Sequence, residues 1–198
     1  NRVISGEYPP GSVFKLITAA LLLKEKKEKI EYQCSGEHEV GESEFKKCWN
    51  SLGHGKIDLA EALKFSCNVY FYKAIEKIRF EDLALMSMEF NFGNKVGIDL
   101  ASEKKGLIPT PKYMKKKYEF RDKNGVWITD WARRGTKANM GIGQGDVLAT
   151  PLQVINLINI IANRGHSYTP HLIINKKNIE KKVVDLDLSI WKFLNTAM

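Results

Sequence analysis

Two residues near the start of the chain have the types and spacing of a serine nucleophile and its base. Ser12 follows Pro9-Pro10-Gly11 and opens an apolar segment in which Lys15 lies one helical turn later. A serine at a helix N-terminus lies beside free backbone N–H groups, which favour developing negative charge. Burial of Lys15 between Phe14 and Leu16 disfavours its charged form, so the amine could accept the hydroxyl proton. The alternative is an N-cap serine and a lysine that extends to solvent.

The Ser-x-x-Lys spacing is not specific by itself, because the sequence contains four examples. They are Ser12/Lys15, Ser43/Lys46, Ser102/Lys105 and Ser189/Lys192. The second and third lie in polar stretches, and the fourth has no accompanying constellation. Only the first pair combines a predicted helix N-terminus with an apolar helix, so it is the candidate for acyl-transfer chemistry.

A second pair of polar residues lies at the predicted junction between two helices. Ser66 and Asn68 form the only Ser-x-Asn in the chain. A serine at such a junction can relay a proton to a leaving amine, and an amide can hold a substrate carbonyl. Helix capping by the same two side chains is the alternative.

Three cysteines and one histidine have residue types suited to a structural zinc ion. They follow the pattern Cys34-x13-Cys48-x5-His54-x12-Cys67. Three thiolates and one imidazole form a common tetrahedral zinc set, although paired zinc-finger spacing is absent. Such an ion would staple the polar stretch 31–56 and brace the Ser66–Asn68 junction. A Cys34–Cys48 disulfide, or no linkage at all, are the alternatives.

Hydrophobic periodicity and capping signals predict a mainly helical chain. The predicted helices are Val13 to about Lys29, Leu59–Phe65, Asn68–Lys77, Glu81–Phe90, Leu152–Asn163 and Leu188–Met198. Residues 31–56 are expected to form an irregular loop or a small hairpin, and residues 93–135 an irregular surface region. His171–Ile174 and Lys182–Leu186 are expected to pair as a hairpin. Gly141–Gly145 lacks the Gly-Lys-[Ser/Thr] of a phosphate loop and is expected to be a tight turn near the site.

Composition indicates a globular protein and argues against two classes of partner. The 198 residues are 43% hydrophobic, and the net charge of +8 is carried largely by lysine. The lysines are not interleaved with aromatic residues in a nucleic-acid-binding module, so no nucleic-acid partner is predicted. No apolar run is long enough to span a membrane.

Several motifs together resemble those of class B penicillin-binding proteins, in particular the penicillin-binding protein 2 group. The matching residues are Tyr8-Pro9-Pro10-Gly11-Ser12-x-x-Lys15, Gly53-His54-Gly55, Ser66-Cys67-Asn68-Val69-Tyr70-Phe71-Tyr72, Gly97-Ile98-Asp99-Leu100, Gly141-Ile142-Gly143-Gln144-Gly145 and Thr150-Pro151-Leu152-Gln153. The resemblance implies a helical lobe of the α+β serine-transpeptidase fold, with most strands of the central antiparallel sheet outside the chain. We therefore expect residues 1–198 to be a partial transpeptidase domain.

The resemblance also implies an activity, peptidoglycan D,D-transpeptidation through an acyl-serine. Ser12 would be acylated, Lys15 would be its base, Ser66 would assist proton transfer and Asn68 would position the donor peptide. Peptidoglycan stem peptides, β-lactams and cell-elongation proteins are the implied partners. The implied location is the periplasmic side of a bacterial inner membrane, with the anchor outside this chain.

One family motif is absent from the sequence. No Lys-[Ser/Thr]-Gly occurs in the 198 residues, and Lys104-Lys105-Gly106 lacks the hydroxyl. We therefore expect the isolated chain to be inactive. A D,D-carboxypeptidase or β-lactamase, and a non-catalytic β-lactam sensor or scaffold, are the alternative functions.

Overall fold

The computed structural model describes residues 1–28, 30–41, 44–121, 123–125, 127–129, 134–173, 180–182 and 184–198. The helices are α1 (Arg2–Ser5), α2 (Lys15–Lys24), α3 (Leu59–Lys64), α4 (Asn68–Ile75), α5 (Phe80–Glu89), α6 (Pro111–Tyr118), α7 (Arg134–Gly141), α8 (Pro151–Ala162) and α9 (Leu188–Ala197). The strands are β1 (Tyr32–Cys34), β2 (Glu37–Gly41), β3 (Glu44–Lys47), β4 (Gly55–Ile57), β5 (Glu119–Arg121), β6 (Trp127–Thr129), β7 (His166–Tyr168) and β8 (Glu180–Lys182).

Helix α2 lies at the centre of the hydrophobic core. Its residues from Lys15 to Leu22 are all buried, which agrees with a segment that is apolar on nearly every side. It packs against α3, α4, α5 and α9. The helix that begins just after the candidate nucleophile is therefore held on several sides by other helices.

The ends of this central helix differ from the prediction. A 3-10 helix, Gly11–Phe14, precedes α2, so Ser12 lies inside a helical turn and is not an N-cap. At the other end α2 stops at Lys24 and does not reach Lys29, which lies outside the described residues. Lys26 adopts a positive φ of 56°, and its N–H and that of Lys27 bond to Leu23 and Leu22. This Schellman turn ends the helix where the lysine run was expected to continue it.

The polar stretch 31–56 contains more regular structure than a loop. Strands β2 and β3 form the expected small hairpin, and β1 pairs antiparallel with β4 in the register Cys34 opposite Gly55. This pairing brings Cys34 beside the turn that carries His54. Over the described residues the sheets are all two-stranded, and no larger sheet forms.

The prediction of an irregular surface region over 93–135 is partly wrong. Residues 93–110 contain no helix or strand except an isolated bridge at Leu107. Helix α6 follows because Thr110 caps it through the N–H of Tyr113 and Pro111 occupies its first turn. Strands β5 and β6 then pair antiparallel.

The predicted hairpin near the C-terminal end is also misplaced. Strand β7 pairs with β8 in the register His166 opposite Lys182, whereas 171–173 and 184–186 are not strands. Ile174 lies outside the described residues. The chain reverses at Gly165, whose φ of +96° suits glycine, so the strand begins directly after the end of α8.

The remaining helix predictions agree closely with the structure. Asp58 and Glu61 form a capping box for α3, and Thr150 and Gln153 form one for α8. Helix α9 spans most of the predicted segment. The predicted mainly helical fold class is therefore confirmed, and the break between α3 and α4 contains Ser66.

Candidate active site

Backbone contacts from distant parts of the chain fix the segment that carries Ser12. Tyr8 and Ala149 exchange two backbone hydrogen bonds, and the N–H of Gly11 donates to the carbonyl of Gly143 at 2.9 Å. These hydrogen bonds form a backbone clamp, which holds the segment before Ser12 against the turn after α7. A backbone N–H in the first turn of a helix has no acceptor within that helix, so such groups are available to an anion.

Within this clamp, Gly143 approaches Gly11 and Phe14 very closely. A Cβ at this position would lie 2.4 Å from the carbonyl oxygen of Gly11 and 2.5 Å from Cβ of Phe14, and its φ is +68°. Both the conformation and the close approach require glycine. The predicted tight turn over Gly141–Gly145 thus directly contacts the segment of the candidate nucleophile.

The side chain of Lys15 contacts the other three predicted catalytic side chains. Its Nζ lies 3.2 Å from Oγ of Ser12, 3.0 Å from Oγ of Ser66 and 2.7 Å from Oδ1 of Asn68. Nζ also donates to the backbone carbonyl of Ser66 at 2.8 Å. Oγ of Ser66 in turn donates to Oγ of Ser12 at 2.9 Å. The two sequence motifs therefore form one connected hydrogen-bond network.

The amine of Lys15 lies in a largely dry environment. The residue is 1% exposed, and Nζ lies 5.6 Å from the ring centroid of Phe71. Burial lowers the pKa of Lys15 to about 8, although nearby Cys67 and Cys48 oppose the shift. An amine with such a pKa exists partly in the neutral form near neutral pH, which is the form that can take a proton from a hydroxyl.

Ser66 occupies an unusual backbone position. Its φ is +51°, in the left-handed region. Its N–H bonds to the carbonyl of Leu63 at 3.0 Å, and the N–H of Cys67 bonds to that of Ala62 at 2.9 Å. This is a Schellman motif at the end of α3, in which the left-handed residue is usually glycine. A serine at this position is conformationally strained because it has a Cβ, and its hydroxyl donates to Oγ of Ser12.

Asn68 is the first residue of α4, and the preceding residue, Cys67, caps this helix. Sγ of Cys67 accepts the N–H of Tyr70 at 3.4 Å, so the thiol occupies the N-cap position. Because Oδ1 of Asn68 accepts from Lys15, the amide NH₂ of Asn68 is left to donate elsewhere. The orientation suits an amide that holds a carbonyl oxygen.

The four predicted zinc ligands converge on one point. The side-chain ligand atoms of Cys34, Cys48, His54 and Cys67 all lie within 4.8 Å of one another. Nδ1 of His54 lies 3.5 Å from Sγ of Cys34 and 3.6 Å from Sγ of Cys48, and the sulfurs of Cys48 and Cys67 are 4.0 Å apart. A tetrahedron with zinc bond lengths has S–N edges of about 3.6 Å and S–S edges of about 3.8 Å.

The cysteine thiols of this cluster differ in how their surroundings affect ionisation. All three cysteines are buried and free, so no disulfide joins Cys34 to Cys48. Burial opposes ionisation of Cys48, but the backbone N–H groups of Asn50, Val69 and Asn68 outweigh it and lower the pKa of this thiol. Thiolate, not thiol, is the metal ligand, and burial raises the pKa of the neighbouring Cys67 thiol well above its usual range.

Two of the other Ser-x-x-Lys pairs, both within the described residues, do not form comparable sites. Ser102 and Ser189 are exposed in a turn and on α9, and Ser43 lies outside the described residues. Among the other histidines, His38 lies 3.2 Å from Oε1 of Glu76 and takes no part in the cysteine cluster.

Trp49 is a part of this region that was not predicted from the sequence. Its indole Nε1–H donates to the carbonyl of Phe65 at 2.9 Å, directly before Ser66. Its ring packs edge-on against His54 at 5.2 Å. Its position between Cys48 and the Gly53-His54-Gly55 turn was the available signal.

The chain has clear relatives over nearly its whole length. A family model, the penicillin-binding protein transpeptidase domain, matches residues 1–189. The peptidoglycan D,D-transpeptidase MrdA of Acinetobacter baumannii is 32% identical over 176 residues, which cover 87% of this chain and 25% of the relative. Stage V sporulation protein D of Bacillus subtilis is 30% identical over 191 residues, 92% of this chain and 26% of the relative.

Solved structures agree with this assignment. Penicillin-binding protein 2 of Helicobacter pylori, in its complex with MreC, superposes with a TM-score of 0.83 at 35% identity, covering 98% of this chain and 34% of that one. The chain therefore belongs to the penicillin-binding protein transpeptidase family. It is of the penicillin-binding protein 2, or MrdA, type and spans about a quarter of its curated relatives' length.

Proposed function

We propose that this chain carries the nucleophile of a peptidoglycan D,D-transpeptidase. The supporting observation is the network in which one buried amine contacts Ser12, Ser66 and Asn68. The curated relatives of the MrdA type bear this activity in their names. A network of this kind activates a serine hydroxyl by general-base catalysis and returns the proton to a leaving group.

In the proposed reaction, Oγ of Ser12 attacks the penultimate D-Ala carbonyl of a donor stem peptide while Lys15 takes the hydroxyl proton. The C–N bond then breaks, and the proton reaches the departing D-Ala amine through Ser66. The new ester joins the donor to Ser12. An acceptor amine attacks that ester, forms the cross-link and regenerates the hydroxyl. β-Lactams would acylate the same oxygen.

Two groups would orient the donor. The amide NH₂ of Asn68 would hold a carbonyl of the donor peptide, and the N–H of Ser12 would bind the tetrahedral oxyanion. The second oxyanion donor comes in this family from the strand after Lys-[Ser/Thr]-Gly, a motif that the 198 residues do not contain. The proposed activity therefore belongs to the full-length protein.

Covalent labelling by a fluorescent penicillin tests the proposal. Ser12→Ala in the full-length protein should abolish labelling, whereas Ser189→Ala, which removes the serine of another Ser-x-x-Lys pair, should leave it unchanged. Labelling of Ser12→Ala would assign the nucleophile elsewhere. Rapid release of hydrolysed penicillin by the wild type would favour the carboxypeptidase or β-lactamase alternative.

We further propose that Cys34, Cys48, His54 and Cys67 hold a structural zinc ion. The support is their spacing, close to tetrahedral edges, and the burial of three free thiols at one point. Because Cys67 lies between Ser66 and Asn68, the ion would brace the helix junction. Metal analysis should find about one zinc per chain in wild type and His38→Ala, and little in His54→Ala. Metal-free wild-type protein that is folded would contradict this proposal.

The family type also suggests a cellular setting. Relatives of this type have been solved with MreC and within a peptidoglycan synthase complex, and we propose elongation proteins as partners. We propose a location on the periplasmic side of the inner membrane, where peptidoglycan is cross-linked. Within the described residues no helix has the length and apolar character of a membrane span.

A further inference from the structure

An exposed tryptophan contacts the peptide group that precedes Ser66. Trp49 is 66% exposed, yet its Nε1–H donates to the carbonyl of Phe65 at 2.9 Å. That carbonyl belongs to the same peptide plane as the N–H of Ser66. The indole hydrogen bond therefore restrains the Phe65–Ser66 peptide group, and rotation of that group changes the φ of Ser66.

The conformation of Ser66 requires such support. A residue with a Cβ in the left-handed region costs about 1–2 kcal/mol and persists where neighbouring contacts fix it. The N–H of Ser66 is held by Leu63, and its carbonyl by Lys15. Trp49 is the side chain that holds the carbonyl of Phe65.

We propose that Trp49 is a positioning residue for acyl transfer. Its indole N–H resists rotation of the Phe65–Ser66 peptide, a rotation that would carry Oγ of Ser66 away from Ser12 and Lys15. Those contacts are 2.9 Å and 3.0 Å long. The inference rests on the proposed transpeptidase function, in which Ser66 relays a proton, and it assigns a role outside the residues that touch substrate.

The same side chain makes a second contact that could explain its presence. The ring of Trp49 packs edge-on against His54, which stacks on Phe65 with centroids 5.9 Å apart and an interplanar angle of 13°. Trp49→Phe keeps an aromatic ring at this position, smaller than the indole, and removes the N–H donor. Thermal stability measured alongside then distinguishes a loss of packing from the loss of the hydrogen bond.

The test measures the acylation rate constant and the dissociation constant for a fluorescent penicillin separately, in the full-length protein. Trp49→Phe should lower the acylation rate constant about three- to tenfold, the effect of one hydrogen bond, with the dissociation constant unchanged. The matched control is Leu52→Ala on the same loop, where the residue is 92% exposed. Its two constants should equal those of the wild type.

The remaining outcomes would overturn the inference. An unchanged acylation rate constant removes the positioning role. A higher dissociation constant with an unchanged acylation rate constant would mean that Trp49 contacts the bound ligand. A parallel loss of thermal stability would mean that Trp49 contributes to the stability of the fold. The Ser12→Ala variant distinguishes failure of the proposed function from failure of this inference. If Ser12→Ala is still labelled, Ser12 is not the nucleophile, whatever the result for Trp49→Phe.

Discussion

Nζ of Lys15 lies 2.7 Å from Oδ1 of Asn68, although 53 positions separate the two residues. The contact joins a helix that begins at Lys15 to one that begins at Asn68. It also fixes which end of the amide faces the amine, so the NH₂ group is directed to other partners. A single buried nitrogen thereby sets the orientation of both predicted motifs.

The pH dependence of acylation should report the ionisation of Lys15. Burial lowers the pKa of Lys15 to about 8, so the neutral base is the minor form below that pH and the major form above it. The acylation rate constant should therefore increase as the pH rises through about 8. Stopped-flow measurements with a penicillin across this range would show the rise, and a flat profile would contradict it.

Replacement of the amine by a permanent cation should remove this step. Lys15→Arg keeps the charge but cannot lose a proton at these pH values, and acylation should slow by about 10²–10⁴-fold. Lys24→Arg, at the exposed end of the same helix, is the matched control and should acylate normally. Normal acylation by Lys15→Arg would exclude Lys15 as the base.

Ser66→Gly should be more stable than Ser66→Ala, and both variants should be less active than the wild type. Glycine adopts the positive φ at this Schellman position without strain, so the free energy of unfolding should rise by about 1 kcal/mol relative to Ser66→Ala. Both variants lack the hydroxyl and should acylate slowly. Denaturant unfolding of the pair measures the difference, and equal stabilities would mean that position 66 is not strained.

Gly143→Ala should damage both folding and acylation. The added Cβ would lie 2.4 Å from the carbonyl oxygen of Gly11, so the clamp on the Ser12 segment must shift. Gly125 also has a positive φ, of +77°, but its Cβ would meet nothing within 4 Å. Thermal or denaturant unfolding should show Gly143→Ala costing about 1–3 kcal/mol more than Gly125→Ala. Equal costs for the two substitutions would show that the close approach is tolerated.

Features encoded by local spacing were predictable from the sequence, and those set by distant contacts were less so. The proximity of Ser12 to Lys15 follows from one helical turn, and the capping boxes mark the starts of α3 and α8. The end of α2 at Lys24 was missed because lysine is compatible both with a helix end and with its continuation. Helix α6 was missed because the lysine-rich composition outweighed the Thr110-Pro111 start signal.

The relation between the two motifs could not come from periodicity. Ser12 and Ser66 are 54 positions apart, and only the family resemblance suggested that they meet. Trp49 contacts Phe65 through one hydrogen bond across 16 positions, which no local pattern encodes. The convergence of the cysteines was expected from ligand types, but their spacing near tetrahedral edges required the pairing of β1 with β4.

The pairing of Tyr8 with Ala149 and of Gly11 with Gly143 has a consequence for biosynthesis. The candidate nucleophile, Ser12, is synthesised before the backbone groups that hold its segment, which follow more than a hundred residues later in the chain. Until that later stretch emerges, a nascent chain can form the helix after Ser12 but cannot lock its entrance. The Ser12 hydroxyl is therefore made first, and the contacts that fix its position can form only after the later stretch is synthesised.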